Sequence, residues 1–344
     1  MSLNLDKRQE WNEQGQSFRP GDVLSEHLHI HQMGQESAPD FEDLSENYLE
    51  SRFWPDGMAR VAGREYNGLL ETPCFQRGEM SCLSCHDMHK TKSDLRSDKE
   101  WANDQLGPEM RENAACTQCH ESFDSPEVLA SHTHHLPDSA GSNCYNCHMP
   151  HTSYGLLKGI RSHQIDSPSV KTTIDTGRPN ACNLCHLDQT LAWTAKNLND
   201  WYSQAEPELD RDQTEVAASL LWLLKGDAGQ RALIASAFAR KEAREISGSE
   251  WMTPFLAQLQ NDPYDAVQII ANRTLRTMEG YEGITTYPGT RKAGNDALRI
   301  WEQTKTAELQ DRPALLLDAE GKIKQSELDR ILKMRDDSPI HLSE

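Results

Sequence analysis

Four cysteine pairs, each followed immediately by a histidine, constrain this sequence of 344 residues more than any other feature. The pairs are Cys82 and Cys85 before His86, Cys116 and Cys119 before His120, Cys144 and Cys147 before His148, and Cys182 and Cys185 before His186. Two thiols three positions apart can each add to a vinyl group on one edge of a porphyrin, and the next residue then offers an imidazole to the iron. The spacing predicts four c-type haems, with the eight cysteines as attachment points and the four histidines as iron ligands.

Zinc and disulfide bonds are the alternatives for so many cysteines. Two C-x-x-C pairs can form a Cys₄ zinc site, so four pairs could hold two zinc ions. Zinc ribbons do not require a histidine after each pair, whereas this sequence has one after all four. A disulfide that closes so short a loop is a poor structural staple. The pattern therefore favours haem over both alternatives.

The composition agrees with an interior that a cofactor helps to fill. Hydrophobic residues make up 36% of the chain and aromatic residues 7%, which is modest for about two domains of roughly 150 residues. Residues 82–186 are too few and too polar to bury a conventional core, so four apolar macrocycles would supply one. The net charge of −19 argues against nucleic-acid binding. The sequence has no apolar run of about 18 residues that could span a membrane.

Each motif histidine leaves a sixth iron position for another side chain. Four of the fourteen histidines belong to the motifs, and ten remain: His27, His29, His31, His89, His132, His134, His135, His151, His163 and His341. The better-placed candidates are His89, which lies three residues after its motif, the cluster at 132–135, and His163 between the third and fourth motifs. Ligation by two histidines closes the iron to other ligands, which suits electron transfer. With so many ligands available, we expect four closed haems.

Two further groups have plainer interpretations. His27, His29 and His31 alternate like residues on one face of a strand, and they are weaker candidates for a haem. The ninth cysteine, Cys74, has no pair and no local pattern of a catalytic base. We expect it to be a buried thiol with a packing role.

Four stretches of the segment 74–193 are typical of one group of proteins. They are Cys74-Phe-Gln-Arg-Gly78, Cys144-Tyr-Asn-Cys147-His148-Met-Pro150, His163, and Arg178-Pro-Asn-Ala-Cys182-Asn-Leu-Cys185-His186 through Trp193. On these residues the chain resembles bacterial multihaem cytochromes with doubled C-x-x-C-H motifs, some of which carry a helical-repeat region behind the haems. The stretch around Cys144 and His163 is also similar to the distal half of pentahaem nitrite reductases.

The resemblance covers about a third of the chain and implies particular ligands. It implies distal ligands at His89, at one or more of His132, His134 and His135, and at His163. The nitrite reductases hold their catalytic haem with a C-x-x-C-K motif, which this sequence lacks, so reductase activity is not implied. Relatives with this arrangement commonly carry further haem motifs upstream. We therefore expect the chain to be a C-terminal piece of a larger cytochrome.

The patterns outside the motifs predict a mainly α-helical, loop-rich protein. We expect an irregular N-terminal segment that packs on the haem core (1–73, with a strand over 58–66), a tetrahaem domain (74–190), a helical-hairpin domain (191–290) and C-terminal helices (291–344). Helical spacing marks 187–201, 214–224, 230–240, 251–260, 266–278, 292–308 and 326–334. Turns at Gly226-Asp227 and Asn261-Asp262 recur after 35 residues, which favours a HEAT-like repeat over an unrelated small bundle.

The sequence thus favours an electron-carrying multihaem cytochrome. The acidic surface predicts redox partners with basic docking patches, together with an upstream haem domain or a larger electron-transfer complex. Haem attachment outside the bacterial cytoplasm predicts a periplasmic or cell-surface location, although residues 1–30 contain no signal-peptide pattern. Two alternatives remain open: a reductase or oxidase of a small nitrogen or sulfur compound at a five-coordinate haem, and a scaffold subunit of a larger assembly.

Overall fold

The computed structural model describes residues 2–15, 17–19, 21–34, 48–61, 64–155, 157–284, 291–305, 309 and 312–340. The chain is mainly α-helical and rich in loops, as the sequence predicts. The first nine helices are α1 Leu5–Gln14, α2 Glu65–Leu70, α3 Pro73–Gln76, α4 Asp98–Asp104, α5 Ala114–Thr117, α6 Pro126–Thr133, α7 Cys144–His148, α8 Val170–Thr176 and α9 Leu191–Tyr202. The others are α10 Arg211–Glu215, α11 Ala218–Leu224, α12 Ala228–Ala237, α13 Lys241–Ser247, α14 Thr253–Gln258, α15 Asp265–Leu275, α16 Arg291–Thr304 and α17 Gln325–Leu332.

Two small antiparallel sheets are present in the part of the chain that the structure describes. Strand β1 (Ser2–Leu3) pairs with β2 (Leu28–His29). Of the three alternating histidines, His29 therefore lies on a strand, and His27 and His31 flank it. Strand β3 (His151–Tyr154) pairs with β4 (Lys158–Arg161), which places His151 opposite Arg161. Gly155 has a positive φ of 54° at the turn between β3 and β4. The second sheet packs against α12 and so joins the motif region to the C-terminal helices.

The expected strand over 58–66 is wrong. The turn at Phe53–Gly57 folds the chain back, and only single bridges form, from Phe53 to Ala59 and from Val61 to Ser153. Gly57 adopts φ 86°, and the Trp54 amide donates to the Met58 carbonyl at 2.8 Å. Helix α2 then begins at Glu65.

The hydrophobic core lies in the C-terminal half. Its largest fully buried side chains include Trp251 and Trp301. Between residues 70 and 169 the described chain buries only two hydrophobic side chains apart from Pro150, those of Leu129 and Tyr145. The motif segment therefore lacks a conventional core, as its composition predicts, whereas the helices after residue 184 have a complete one. Among the described helices, none combines the length and apolar character that crossing a membrane takes.

The C-terminal helices follow most of the predicted positions, although no helix was predicted where α13 (Lys241–Ser247) forms. The predicted helix over 214–224 is divided, because Val216 takes an extended conformation between α10 and α11. The carboxylate of Asp262, just before α15, binds the guanidinium of Arg231, and both side chains are fully buried. Tyr264 occupies the N-cap position. The HEAT-like repeat and the domain boundaries stay predictions.

Candidate functional site

The four motifs adopt the same local structure, a single helical turn. The histidine amide donates to the carbonyl of the first cysteine four residues earlier, at 2.9 Å in the first two motifs and 2.8 Å in the fourth. The third motif forms helix α7, which has the same hydrogen-bonding pattern. On one helical turn, residues three apart lie on one side, so the two thiols of each pair are neighbours. The eight thiols are free, and each is exposed or half-buried.

Two motif histidines are fixed by backbone carbonyls. Nδ1 of His86 lies 3.0 Å from the carbonyl oxygen of Asp104, and Nδ1 of His148 lies 2.8 Å from that of Asp166. A carbonyl can only accept a hydrogen bond, so Nδ1 carries the proton in both rings. Nε2 is then left with its lone pair, as a metal-ligating histidine requires.

Three of the four motif histidines face a second histidine ring. The ring centres are 6.1 Å apart for His86 and His163, 6.1 Å for His132 and His148, and 6.0 Å for His135 and His186. The ring planes differ by 21°, 7° and 38° respectively. Three separate pairs thus share one spacing, although their histidines come from different segments.

This spacing fits an iron shared by two imidazoles. With a metal–nitrogen bond of about 2 Å on each side, the centres of two opposed imidazole rings would lie roughly 6 Å apart. A haem iron takes its other four ligands from the porphyrin, so two histidines suffice. Throughout the described ranges, no three His, Cys, Asp or Glu side chains converge on one point, as a Cys₄ zinc site would require. The donor set therefore fits haem better than zinc.

Helix α2 positions His163. A Cβ atom at Gly68 would lie 2.6 Å from the amide nitrogen of Gln164 and 2.8 Å from the carbonyl carbon of His163, so only glycine permits this approach. The hydroxyl of Thr72 donates to the His163 carbonyl at 3.0 Å and accepts from the amide of Ile165 at 3.1 Å. The N-terminal segment therefore holds in place His163, whose ring faces that of His86.

Helix α6 positions the histidines whose rings face the motif histidines His148 and His186. His132 lies in its last turn, and the helix ends at His134, which has a left-handed φ of 56°. His135 follows, and its Nδ1 donates to the Thr133 carbonyl at 2.6 Å. The reversal at residue 134 thus directs His132 and His135 to two different motif histidines.

Not every predicted ligand lies beside a motif histidine. The ring of His134 stacks on Trp201 instead, with centres 4.5 Å apart and planes 9° apart, because the left-handed turn points it towards α9. His89 is exposed, and it is not brought to a motif ring. Of the three histidines in the 132–135 cluster, His132 and His135 lie opposite motif histidines and His134 does not. His341 lies outside the described residues.

The first three motifs are joined in chain order. The Gln118 side chain donates to the Ser84 carbonyl at 3.0 Å, which links the second motif to the first. The Asn113 side chain accepts from the Cys144 amide at 2.9 Å and so links the second motif to the third. A hydrogen bond between the thiols of Cys116 and Cys144 raises the pKa of Cys116 and lowers that of Cys144 to about 7.

The third and fourth motifs are also neighbours. Burial, followed by the neighbouring thiols of Cys185 and Cys144, raises the pKa of Cys147 to about 11. Burial, followed by the thiols of Cys147 and Cys185, likewise raises the pKa of Cys182 to about 12. Thiols that influence each other in this way lie close together, so the four motifs form a row in which each lies beside the next one in the chain.

A cationic group lies beside the third and fourth motifs, and sequence reasoning missed it. Arg161 donates to the carbonyls of Tyr145 and Met149 at 2.8 and 3.2 Å, and Arg240 approaches the sulfur of Cys185 at 3.6 Å. Burial, and then the charge of Arg240, lowers the pKa of Arg161 to about 10. Within the described chain, neither guanidinium forms an ion pair with a carboxylate. The two propionates of a haem are anions that would suit this group.

Comparison with known proteins finds no family and one distant structural likeness. No protein-family model matches the chain, and no curated protein matches it. Among solved structures, the chain is similar to the outer cell wall cytochrome OcwA, with 18% sequence identity and a TM-score of 0.35. The alignment covers 76% of this chain and 57% of that one, so the chain spans little more than half of its length. A likeness of this degree does not identify a function, which has to be inferred from the chain's own residues.

Proposed function

We propose that the protein is a multihaem c-type cytochrome that carries electrons between redox partners through four closely spaced, covalently bound haems. The observation that carries the proposal is the common spacing of 6.0–6.1 Å in the ring pairs His86–His163, His132–His148 and His135–His186. Aromatic pairs in general have ring centres about 4.5–7 Å apart. The support for a metal is that three unrelated pairs share the one separation that an iron between two imidazoles would set.

The cofactor would supply iron that cycles between the ferric and ferrous states. The chain's own residues would attach the macrocycles and ligate the iron. Eight cysteines would hold the macrocycles, and two histidines on each of three irons would leave no exchangeable position there. The carbonyls of Asp104 and Asp166 fix the proton on Nδ1 of His86 and His148, which orients these ligands for the metal.

The row of motifs supports transfer through the protein rather than at one centre. Direct hydrogen bonds join the first motif to the second and the second to the third, and the thiols of the third and fourth influence each other. Haems attached at these sites would lie near one another in chain order. Electrons would enter at one end of the row and leave at the other.

The partners and the location follow from charge and from maturation chemistry. The chain carries 54 acidic and 35 basic residues, and haem propionates would add negative charge, so partners with basic docking patches are favoured. An upstream haem domain or a larger electron-transfer complex would provide such a partner. Bacterial haem attachment takes place outside the cytoplasm, which favours a periplasmic or cell-surface protein.

The experiment is to produce the exported protein together with haem-maturation machinery. Mass spectrometry and pyridine haemochrome analysis should find four haems per chain, and most of the ferric iron should be low-spin. Stepwise reduction by an electrode, with each haem oxidised and reduced reversibly, would support electron transport. Colourless protein that folds with bound zinc would overturn the proposal.

A further inference from the structure

The second motif differs from the other three in the surroundings of its histidine. His120 is exposed, whereas His86, His148 and His186 are partly buried. Its ring neighbour is Phe123, with ring centres 6.4 Å apart and planes 52° apart. Across the described residues no other histidine ring lies within contact of His120, although each of the other motif histidines has one at 6.0–6.1 Å.

Local structure explains the difference. After His120 the chain forms a short 3₁₀ turn over Glu121–Asp124 and then enters α6. The nearby histidines at the end of α6 face other motifs, because the ring of His132 faces that of His148 and the ring of His135 faces that of His186. Phe123 occupies the space between, since its ring also contacts that of His132 at 4.8 Å. An aromatic side chain without a donor atom therefore stands beside His120.

We propose that the iron bound by His120 keeps an exchangeable sixth position and binds a small neutral molecule. The inference rests on the proposed function, because it concerns one of the four haems, and it replaces the expectation of four closed haems. The ligand class follows from charge: Glu121, Asp124 and Glu127 lie just after His120 and would repel an anion. Contact from Phe123 to His132 places this site next to the iron of the third motif, from which electrons would arrive.

Carbon monoxide is the probe for the reduced protein, and azide, which is an anion at neutral pH, is the comparison for the oxidised protein. We expect low-temperature electron paramagnetic resonance to show one high-spin ferric iron among four. The dithionite-reduced protein should bind one carbon monoxide per four haems. Azide should bind at least tenfold more weakly to the ferric site of the wild type than to that of the variant Glu121→Gln, Asp124→Asn, Glu127→Gln. Equal azide affinity in the two proteins would overturn the choice of a neutral ligand.

Two variants locate the site. The iron–histidine stretching band of the reduced high-spin haem, seen by resonance Raman spectroscopy, should disappear in His120→Gly and persist in His89→Ala. Four low-spin irons in the wild type, with a high-spin iron appearing only in His89→Ala, would show that His89 closes the second haem and would overturn the inference. Four low-spin irons in both proteins would overturn it as well. In each case a count of four haems in the wild-type protein leaves the proposed function intact. A lower count in the wild type contradicts the proposed function itself.

Discussion

Gly141 and the ring of His135 are in such close contact that no other residue fits at position 141. A Cβ atom there would lie 2.1 Å from Cδ2 of His135 and 2.8 Å from Nε2, the nitrogen that would face the iron. We therefore expect Gly141→Ala to push the imidazole away from His186. One iron should change from low-spin to high-spin, as electron paramagnetic resonance would show. Gly283→Ala is the control, because a Cβ at that position meets nothing within 4 Å.

Substitutions within the 132–135 cluster separate the ligands from their neighbours. In His132→Ala the iron of the third motif should become high-spin, and its potential should rise by on the order of 100 mV, a fraction of the range of about 0.8 V that axial ligands set. His134→Ala should leave all spin states unchanged, because His134 stacks on Trp201. Spectroelectrochemical titration would measure both proteins, and the opposite pattern would return the distal role to His134.

The charge of Arg161 should tune the third haem. Its guanidinium contacts the turn that carries Cys147 and His148, and a nearby positive charge favours the ferrous over the ferric state. Arg161→Gln should therefore lower one potential by on the order of 50 mV. Arg161→Lys keeps the charge and should restore most of the potential, even though it loses the bridging hydrogen bonds. A potential that drops equally in both variants would indicate a packing role alone.

Asp212 should give the C-terminal helices part of their dependence on pH. A hydrogen bond from Arg330, helped by Lys225, holds the pKa of this carboxyl below its ordinary value of 3.8. A lowered pKa in the folded state stabilises the protein above pH 3.8, and that stabilisation is lost as the pH falls through the folded-state value. Asp212→Asn should lower the free energy of unfolding by about 1 kcal/mol at pH 7.

The measurement for Asp212 is urea unfolding at a series of pH values. The difference between the variant and the wild type should shrink as the pH falls below 3.8. A difference that does not change with pH would mean that the side chain acts through its shape rather than its charge. Lys241→Ala, which removes an exposed ion pair with Glu245, should have little effect at any pH.

The sequence predicted what depends on local spacing. Mainly helical structure, the polar motif segment without a core of its own, and the positions of most C-terminal helices could be inferred from periodicity and composition. The selection of His132 over His134 could not, because it depends on a left-handed residue at the end of α6. The roles of Gly68 and Arg161 also depend on contacts between segments far apart in sequence, and no local pattern contains that information.

The fourth motif differs from the others in how it meets the hydrophobic core. Leu184 within it and Leu187 just after it are fully or almost fully buried among the C-terminal helices. Those helices have a hydrophobic core of their own, so the fourth motif would have its shape before a haem is attached. The haem-attachment enzyme would then act on one ordered motif and three flexible ones. We expect the order in which the four haems are attached to reflect that difference.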